Sequence, residues 1–406
     1  MIVSIRPGRP VGTVCAPPSK SMAHRLLICA GLADGVSHIS GVDFNEDISA
    51  TLDCLRALGA QCAVSGDTVT IRGADLRRAK PEAPLCCRES GSTLRFFIPL
   101  AMLCGQPVSF TGTQKLLSRP LNVYDEFCRE QGISFTQQPD LVRVSGVLKA
   151  GEYRIPGNIS SQFITGLLFA LPMVSGHSVI RVLPPVESRG YIDLTIQALR
   201  SFGIRVRWQD HNTLTIDGDQ QYRPADRTVE GDYSGAAFFA GMNALGADVK
   251  ITGLSADSLQ GDRVYQIYLP QLCAGRPQID IADCPDLGPV LFAVAAAKNG
   301  AVFTGTRRLK IKESDRAEAM AQELSAFGTQ VTVEDNSVVI DVPDFHPPKV
   351  RLCGHNDHRI VMALSVLLTL TGGEIEGAQA VSKSFPDFFT KLRDLNIEVS
   401  MHETDQ

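Results

Sequence analysis

The eleven cysteines of this 406-residue sequence form no Cys-x-x-Cys pair, so they do not indicate a zinc site. Because their number is odd and they are scattered, they do not suggest a disulfide framework, and we expect reduced thiols. The chain also carries little excess charge, with 39 lysines and arginines against 44 aspartates and glutamates and a net charge of −5. This balance argues against a general nucleic-acid or membrane-surface role, because neither polyanion would attract the chain.

Long apolar runs are also missing from the sequence. No stretch approaches the roughly 20 apolar residues of a membrane span, and residues 1–7 lack the charged and then apolar pattern of a secretion signal. We therefore expect a soluble, cytoplasmic protein. The chain is longer than about 250–300 residues, beyond which single cores rarely grow, so we expect two domains.

What the sequence does contain is an internal repeat. A short polar helix start followed by an almost wholly apolar helix recurs six times, marked by Ser21, Ser92, Ser161, Ser234, Asp286 and Asp357. The intervals between these markers are 71, 69, 73, 52 and 71 residues, so one unit is shorter than the others. A short strand, an amphipathic helix ending near a glycine and two alternating strands follow, as in residues 61–64 and 68–71.

The repeat predicts the fold. Its apolar helices have little polar face, so each must be buried on nearly all sides, with sheets around it. We therefore predict an α/β (α+β) fold, a two-domain prism in which each domain has three βαβαββ repeats and its sheets enclose the buried helices. Residues 223–227 are the best linker candidate. The predicted upper domain is residues 18–227, the predicted lower domain is residues 1–17 with 228–406, and the active site is expected in the cleft between them.

The first helix start of the repeat carries candidate chemistry. Ser19 is a good N-cap, Lys20 and Ser21 lie in the first turn, and Arg25 lies one turn beyond Ser21 on the same side. Two cations, a hydroxyl and free backbone N–H groups gather where the helix dipole is positive, which favours an anion site. The same pattern fits an ordinary capped helix with solvated cations, and this stretch alone does not separate the two interpretations.

Cations and hydroxyls recur at the other helix starts and loops, where a purely structural repeat would leave the residues free to vary. With the glutamates, glutamine and glycine beside them, the residues at these positions are Glu89, Gly91, Arg95, Lys115, Arg119, Ser160, Ser161, Gln162, Arg307, Arg308, Lys310, Lys312, Glu313, Arg316, His358, Arg359 and Lys383. Guanidinium groups from several units suggest bidentate recognition of phosphate and carboxylate. Taken singly, Ser160 or Asp286 could simply cap a helix, and residues 312–316 could be a surface salt-bridge run.

In this order, the motifs resemble the enolpyruvyl transferase family, and within it the 5-enolpyruvylshikimate-3-phosphate synthases, over essentially the whole chain. The matching segments are Ser19-Lys20-Ser21 with Arg25, Gly91-Ser92 with Arg95, Arg119-Pro120, Ser160-Ser161-Gln162-Phe163, Glu230-Gly231-Asp232, Asp286, Lys312-Glu313-Ser314-Asp315-Arg316, Asn356-Asp357-His358-Arg359 and Lys383-Ser384-Phe385-Pro386-Asp387. Any one of these is weak, whereas their order is highly specific. The family fold, two domains of three βαβαββ units each, agrees with the six repeats counted above.

The resemblance implies transfer of the enolpyruvyl group of phosphoenolpyruvate to the 5-hydroxyl of shikimate 3-phosphate, with release of phosphate. We expect a monomer with no cofactor and no metal. By position, the resemblance places Ser21, Arg25, Ser160, Ser161, Gln162, Ser188, Tyr191, Asp286 and Lys312 on shikimate 3-phosphate. It places Lys20, Gly91, Arg119, Gln162, Arg316, Arg359 and Lys383 on phosphoenolpyruvate. Bringing two multiply charged anions together requires a dense set of cations that excludes water, and these residues fit that need.

The resemblance also implies an addition followed by an elimination. Asp286 would accept the proton of the attacking hydroxyl, Glu313 would protonate and later deprotonate the methylene carbon, and Lys20 would assist proton transfer at the bridging oxygens. Each acid–base group would contribute on the order of 10²–10⁴ in rate. Glu89 and Arg308 stand where many family members have asparagine, so the edges of both substrate sites are expected to differ, and Glu89 leaves affinity for the inhibitor glyphosate open.

Two alternatives stand beside this interpretation. The sister transferases that act on UDP-N-acetylglucosamine have Lys-Asn where Lys20-Ser21 stands here, and a loop cysteine that residues 112–120 lack. A non-catalytic binding protein that keeps the repeat would be expected to have lost Lys20, Glu313 or Arg119. All three are present.

Overall fold

The computed structural model describes residues 1–403, which belong to two compact units. Pro18–Glu230 forms one, called here the inserted unit, and Met1–Pro17 with the chain from Gly231 onward forms the other, called the terminal unit. The second boundary follows Glu230 rather than residue 227. The reason is that Arg227–Thr228 forms a strand that pairs with Val36–Ser40 and so stays with the inserted unit.

Helices account for much of the chain in both units. Among the described residues the α-helices are α1 (Lys20–Leu32), α2 (Glu46–Ala57), α3 (Gly91–Ala101), α4 (Gln114–Leu117), α5 (Asn122–Gln131), α6 (Ser161–Ala170), α7 (Arg189–Ser201), α8 (Tyr233–Ala244), α9 (Tyr265–Ala274), α10 (Gly288–Ala296), α11 (Arg316–Ser325), α12 (His358–Thr371) and α13 (Phe388–Asp394). Short 3-10 helices span Leu76–Arg78, Leu171–Met173, Gly261–Val264, Pro285–Leu287, Arg307–Ile311 and Ala378–Lys383. No helix in residues 1–403 is long and apolar enough to cross a membrane.

The strands are short and are spread over the whole chain. In residues 1–403 they are β1 (Ile2–Ile5), β2 (Val11–Cys15), β3 (Val36–Ser40), β4 (Gln61–Ser65), β5 (Thr68–Arg72), β6 (Leu85–Cys86), β7 (Val108–Thr111), β8 (Ser134–Gln137), β9 (Val142–Ser145), β10 (Glu152–Pro156), β11 (His177–Leu183), β12 (Val206–Trp208), β13 (Thr213–Asp217), β14 (Arg227–Thr228), β15 (Asp248–Thr252), β16 (Gln278–Asp280), β17 (Ala301–Thr304), β18 (Gln330–Val333), β19 (Ser337–Asp341), β20 (Leu352–Cys353), β21 (Gly373–Glu376) and β22 (Val399–His402).

Five sheets repeat one strand order. They are β14-β3-β5-β4, β6-β7-β9-β8 and β10-β11-β13-β12 in the inserted unit, and β16-β17-β19-β18 and β20-β21-β1-β22 in the terminal unit. In each, the first pair of strands is parallel and the other two pairs are antiparallel. The α/β two-domain fold and its repeated unit are therefore confirmed.

The sixth sheet explains the short interval in the repeat. It contains only the parallel pair of β15 and β2, with Asp248 opposite Val11 and Thr252 opposite Cys15. The chain passes from β15 through α9 directly into β16, so the antiparallel pair of the other five sheets is missing from this unit. The N-terminal strands complete the terminal unit, since β2 joins this sheet and β1 joins the sheet of β20–β22.

The apolar helices form the centre of each unit, as predicted. Every residue of α10 is buried, as is every residue of α6 except Gln162. In the inserted unit α3 packs against α6, and in the terminal unit α8, α10 and α12 pack against one another. Each unit has its own hydrophobic core. Because these helices are surrounded, their ends are the places where they can present polar groups, and Gly91, Ser161 and Arg359 lie at such ends.

Candidate functional site

Lys20 begins α1 of the inserted unit. As predicted, Ser19 caps this helix, with its hydroxyl accepting a hydrogen bond from the Met22 N–H at 3.3 Å. The Lys20 ammonium forms an ion pair with a carboxylate oxygen of Asp47 at 2.8 Å, and both side chains are largely withdrawn from solvent. Asp47 lies in the first turn of α2, where the helix dipole stabilises a negative charge. The start of α2 therefore holds the Lys20 cation in place.

Arg25 lies one turn further along α1 and is buried. Its Nη1 donates to the Ser21 carbonyl at 2.6 Å, its Nη2 to the Tyr191 carbonyl at 3.0 Å and its Nε to the Thr195 hydroxyl at 2.9 Å. Burial lowers the pKa of Arg25 to about 10, which leaves it charged at neutral pH. Each Nη atom carries a second N–H, so this rigidly held guanidinium can still bind an anion.

Gln162 connects the starts of α6 and α3. Its Oε1 accepts a hydrogen bond from Arg95 Nη1 at 2.9 Å, and its Nε2 donates to the Ser92 hydroxyl at 3.0 Å. The Arg95 guanidinium also lies over the Phe163 ring, 5.3 Å from its centroid. These contacts fix the orientation of the Gln162 amide, which the resemblance places on both substrates.

Gly91 is the first residue of α3 and lies against the guanidinium of Arg119. A β-carbon on Gly91 would lie 2.6 Å from Arg119 Nη1 and 3.0 Å from Arg95 Nη1. Glycine is needed here because it alone lets a guanidinium approach the backbone this closely. The free N–H groups at the start of α3 and the Arg119 cation thus form one electropositive surface.

The other predicted residues of the inserted unit lie at the starts of α6 and α7. The Ser160 hydroxyl caps α6 by accepting a hydrogen bond from the Gln162 N–H at 3.3 Å, and Ser161 is the buried first residue of that helix. Ser188 immediately precedes α7, is buried, and has a φ of 57°, in the left-handed region. Tyr191 lies in the first turn of the same helix.

In the terminal unit, the predicted cations converge on the carboxylate of Asp286, just before α10. Its Oδ1 accepts hydrogen bonds from Lys312 Nζ at 3.1 Å and Arg316 Nη1 at 2.8 Å, and its Oδ2 accepts one from Arg359 Nη2 at 3.1 Å. Burial alone would raise the pKa of Asp286, but these three cations together outweigh burial and hold it well below its ordinary value. Asp286 is therefore ionised at neutral pH.

Arg316 is the most enclosed cation of this cluster, with a side chain only 1% exposed. Besides Asp286, it donates from Nε to Asp357 Oδ2 at 2.9 Å and from Nη2 to Glu313 Oε2 at 2.6 Å. Burial opposes its charge, but the surrounding carboxylates prevail and raise the pKa of Arg316 above its usual value. Asp357 also caps α12 by accepting a hydrogen bond from the Arg359 N–H at 2.9 Å.

Lys312 and Lys383 differ in their surroundings. Burial lowers the pKa of Lys312 to about 8; Asp286 opposes this shift, and the neighbouring Arg308 and Arg316 add to it. Lys383 lies at the end of a 3-10 helix, and its Nζ donates to the Asn356 carbonyl at 2.7 Å, just before α12. Lys383 therefore contacts the backbone just before α12, and it is more exposed than the cations around Asp286.

The structure adds residues that the sequence did not identify. Asp47 and Thr195 lie in amphipathic helices outside the repeat markers, and the partners that they bind are 27 and 170 positions away. For Asp47 a signal existed, since it lies in the first turn of a helix capped by Asn45. Ser234, named only as a repeat marker, accepts a hydrogen bond from Arg359 Nη2 at 3.1 Å.

These clusters can bind anions and move protons. Cations stand at the first turns of buried helices, where backbone N–H groups and the dipole also favour phosphate or carboxylate. Several of these cations are already paired with protein carboxylates, so an arriving anion would compete with those carboxylates for the cations. Within residues 1–403, no group of three or more His, Cys, Asp and Glu side chains is placed to hold a metal ion.

Comparison with known proteins identifies relatives along nearly the whole chain. The sequence model of the family "EPSP synthase (3-phosphoshikimate 1-carboxyvinyltransferase)" matches residues 5–274 and 271–392. A 3-phosphoshikimate 1-carboxyvinyltransferase of Clostridium kluyveri is 41% identical, with 98% of each chain covered. One of Clostridium beijerinckii is 37% identical, with 97% of each chain covered.

Solved structures agree with these relatives. An EPSP synthase from Acinetobacter baumannii is 26% identical and superimposes with a TM-score of 0.81 over 98% of this chain and 100% of that one. The enolpyruvyl transferase NikO from Streptomyces tendae has the same TM-score of 0.81 over 98% of each chain. At 16% identity, NikO supports the fold alone.

Proposed function

The chain belongs to the EPSP synthase family, the 3-phosphoshikimate 1-carboxyvinyltransferases, and on that premise we propose how it carries out enolpyruvyl transfer in the shikimate pathway. The enolpyruvyl group passes from phosphoenolpyruvate to the 5-hydroxyl of shikimate 3-phosphate, and phosphate is released. Family membership sets aside both the UDP-amino-sugar transferase and the non-catalytic binding protein as alternatives.

The observation that carries the mechanism is the convergence of Lys312, Arg316 and Arg359 on the Asp286 carboxylate. An isolated buried carboxylate would not require three cations, and such a concentration of positive charge is suited to a ligand with several negative charges. Both substrates are of this kind. When their phosphate and carboxylate groups arrive, they compete with Asp286 for the same donors.

The two substrates use sets of residues that differ except for Gln162. Shikimate 3-phosphate is held by Ser21, Arg25, Ser160, Ser161, Gln162, Ser188, Tyr191, Asp286 and Lys312. Phosphoenolpyruvate is held by Lys20, Gly91, Arg119, Gln162, Arg316, Arg359 and Lys383. Each set draws on cations and hydroxyls of both units, which suits substrates that carry several negative charges.

The substrate anions also prepare Asp286 to act as a base. Its low pKa depends on Arg359, Lys312 and Arg316, which together outweigh the effect of burial. When phosphate and carboxylate groups share those cations, the ionised form of Asp286 is less stabilised and its pKa rises toward the range useful for proton transfer. Asp286 then takes the proton of the 5-hydroxyl, whose oxygen bonds to C2 of phosphoenolpyruvate.

Glu313 serves the carbon that gains and loses a proton. During addition it gives a proton to the methylene carbon C3, which becomes a methyl group in the tetrahedral intermediate. During elimination it takes a proton back from C3 as the bond between C2 and the phosphate oxygen breaks. The contact of Glu313 with Arg316 at 2.6 Å holds the carboxyl group in position for both steps. Glu313 carries the proton at the start of addition and regains it in elimination. Lys20 assists proton transfer at the bridging oxygens, where Asp47 orients its ammonium group.

We further propose that the enzyme works as a cytoplasmic monomer on these small-molecule substrates. Each unit has its own core, which supports independent packing of the two units without a partner chain.

Phosphate release tests the proposed reaction. With phosphoenolpyruvate and shikimate 3-phosphate together, the purified protein should release phosphate in an equal amount to the new enolpyruvyl ether. Either substrate alone, or unphosphorylated shikimate at the same concentration, should give background release only. Phosphate release that does not depend on shikimate 3-phosphate would contradict the proposal.

A further inference from the structure

A buried carboxyl group with no part in the mechanism above lies beside Arg359. Asp262 belongs to the 3-10 helix Gly261–Val264 and is only 4% exposed. Its side chain is hydrogen-bonded to that of Ser234. The Ser234 hydroxyl in turn accepts a hydrogen bond from Arg359 Nη2 at 3.1 Å. Asp262, Ser234 and Arg359 thus form a continuous chain of polar contacts that ends at the Asp286 cluster.

We propose that Asp262 is a positioning residue that acts through Ser234 to fix the Arg359 guanidinium for phosphoenolpyruvate. This inference rests on the proposed function, which places Arg359 on that substrate. A serine hydroxyl has one proton and two lone pairs. If it donates its proton to the Asp262 carboxylate, its lone pairs face Arg359, so the carboxylate sets the direction in which Ser234 can accept.

The backbone around Asp262 is held firmly enough for this role. Gln260, two residues earlier, accepts a hydrogen bond from the Tyr233 N–H at 2.9 Å and donates one to the Gly231 carbonyl at 2.8 Å. Both contacts are buried and join the segment to the start of α8, the helix that carries Ser234. Asp262 and Ser234 are therefore fixed relative to each other by the backbone as well as by their own hydrogen bond.

The contact of Arg359 with Ser234 matters because its other partner, Asp286, takes part in the proposed reaction. Arg359 Nη2 donates hydrogen bonds to both Asp286 Oδ2 and the Ser234 hydroxyl, each at 3.1 Å. When a substrate anion draws Arg359 away from Asp286, the contact with Ser234 still limits how far the guanidinium can turn. Without it, Arg359 would have to be ordered by the substrate itself, which weakens binding.

Keeping a carboxyl group at this place is unfavourable for stability, which suggests that it is kept for function. Burial, together with the nearby charge of Asp286, raises the pKa of Asp262 to about 7, although Arg359 acts in the opposite direction. Asp232 also faces it and raises the pKa further. An apolar residue would avoid this cost.

The test compares D262A, S234A and the double variant with the unmodified enzyme. D262A should raise KM for phosphoenolpyruvate about tenfold, the size of one lost hydrogen bond to a charged group, and leave KM for shikimate 3-phosphate within about twofold. S234A should raise KM for phosphoenolpyruvate by the same factor. The double variant should have a KM no higher than that of either single variant, because both changes break the same series of contacts.

Two further variants separate positioning from a structural role. D262N keeps an oxygen that can accept from Ser234, so its KM for phosphoenolpyruvate should lie within about threefold of the unmodified value. D257N changes an exposed aspartate of the same loop and should alter neither KM. At pH 8, where Asp262 is ionised, the melting temperature of D262N should be no lower than that of the unmodified enzyme.

The inference is overturned if D262A keeps its KM for phosphoenolpyruvate within twofold, if D262N is as impaired as D262A, or if the two single effects simply add. These results differ from a failure of the proposed function, in which the unmodified protein itself would release no phosphate from the two substrates. Binding of phosphoenolpyruvate in the presence of shikimate 3-phosphate, measured by calorimetry, should show the same tenfold weakening in D262A.

Discussion

At the scale of single residues, close approach to backbone decides where the arginines can lie. Gly91 allows the Arg119 guanidinium to rest on the first turn of α3, and Arg95 reaches the same place from within that helix. Two guanidinium groups this close repel each other unless an anion lies between or beside them. The absence of a side chain at Gly91 thus lets two guanidinium groups lie against the first turn of α3, where positive charge favours an anion.

Gly91→Ala should therefore weaken phosphoenolpyruvate binding. The added β-carbon would meet Arg119 Nη1 at 2.6 Å, so the guanidinium must move. We expect KM for phosphoenolpyruvate to rise about tenfold or more, because one charge-assisted contact is lost, with a smaller change for shikimate 3-phosphate. Steady-state kinetics would measure both constants. Gly275→Ala, where no heavy atom lies within 4 Å of the new carbon, is the control and should behave like the unmodified enzyme.

Residue types were easier to predict from sequence than their partners. The place of Lys20 at a capped helix start followed from Ser19 and the spacing of the apolar residues. Its ion pair with Asp47 did not, because the two are 27 positions apart and belong to different helices. Contacts of this kind depend on how helices pack, and local sequence patterns contain no information about that packing.

At the scale of elements, a buried polar chain ties together three helix starts of the inserted unit. His24 of α1 contacts the Thr51 hydroxyl of α2 at 2.7 Å, and Thr51 contacts the Thr93 hydroxyl of α3 at 2.9 Å. Thr93 continues to the hydroxyl of Ser90, the N-cap of α3, at 2.8 Å. These hydrogen bonds between side chains thus fix the positions of the helices that carry Lys20 and Gly91 relative to each other.

The burial of His24 in this series of contacts predicts that the free energy of unfolding depends on pH. Burial, and then the charges of Lys20 and Arg25, lower the pKa of His24 well below 6.5. Below about pH 6.5 the unfolded chain takes up a proton at His24 that the folded chain does not, so folding weakens as the pH falls, by up to about 1.4 kcal/mol per pH unit. In His24→Asn this loss disappears. The free energy of unfolding by urea, measured from pH 7.5 to 5.5, would show it.

Comparison with His24→Asn isolates this effect, because other titrating groups contribute equally to both proteins. The difference in the free energy of unfolding between the unmodified protein and His24→Asn should become smaller as the pH falls from 7.5 to 5.5. His211→Asn, at an exposed position, is the matched control and should keep the unmodified pH slope. A His24→Asn protein with that same slope would show that His24 becomes charged within the fold.

At the scale of the whole molecule, the repeat was the most informative feature of the sequence. Marker spacing predicted six units and one shorter member, but it could not say which part of that unit was missing. The structure shows that β15 and β2 lack the antiparallel pair present in the other five sheets. The order of strands could not be predicted either, because β1, β2 and β14 pair with strands far away in the chain.

Each of these pairings lies within one unit, and the two units are connected where the polypeptide crosses between them. The polypeptide begins in the terminal unit, enters the inserted unit at Pro18 and returns at Gly231. Lys20 lies immediately after the first crossing, and Asp232, the N-cap of α8, lies immediately after the second. Lys20 and Glu313, to which we assign proton transfer, therefore lie in different units of a single chain, and we propose that both take part in one reaction.

The most direct test of that claim is the rate of phosphate release by Lys20→Met, Glu313→Gln and the variant that combines them. Each single change should lower kcat by about 10²-fold or more, and the combined variant should lose less than the product of the two effects, because groups that act together are not additive. Lys80→Met and Glu318→Gln, at exposed positions, should retain full rates. If either Lys20→Met or Glu313→Gln, correctly folded, keeps its kcat within about tenfold of the unmodified enzyme, the account of a shared reaction is contradicted.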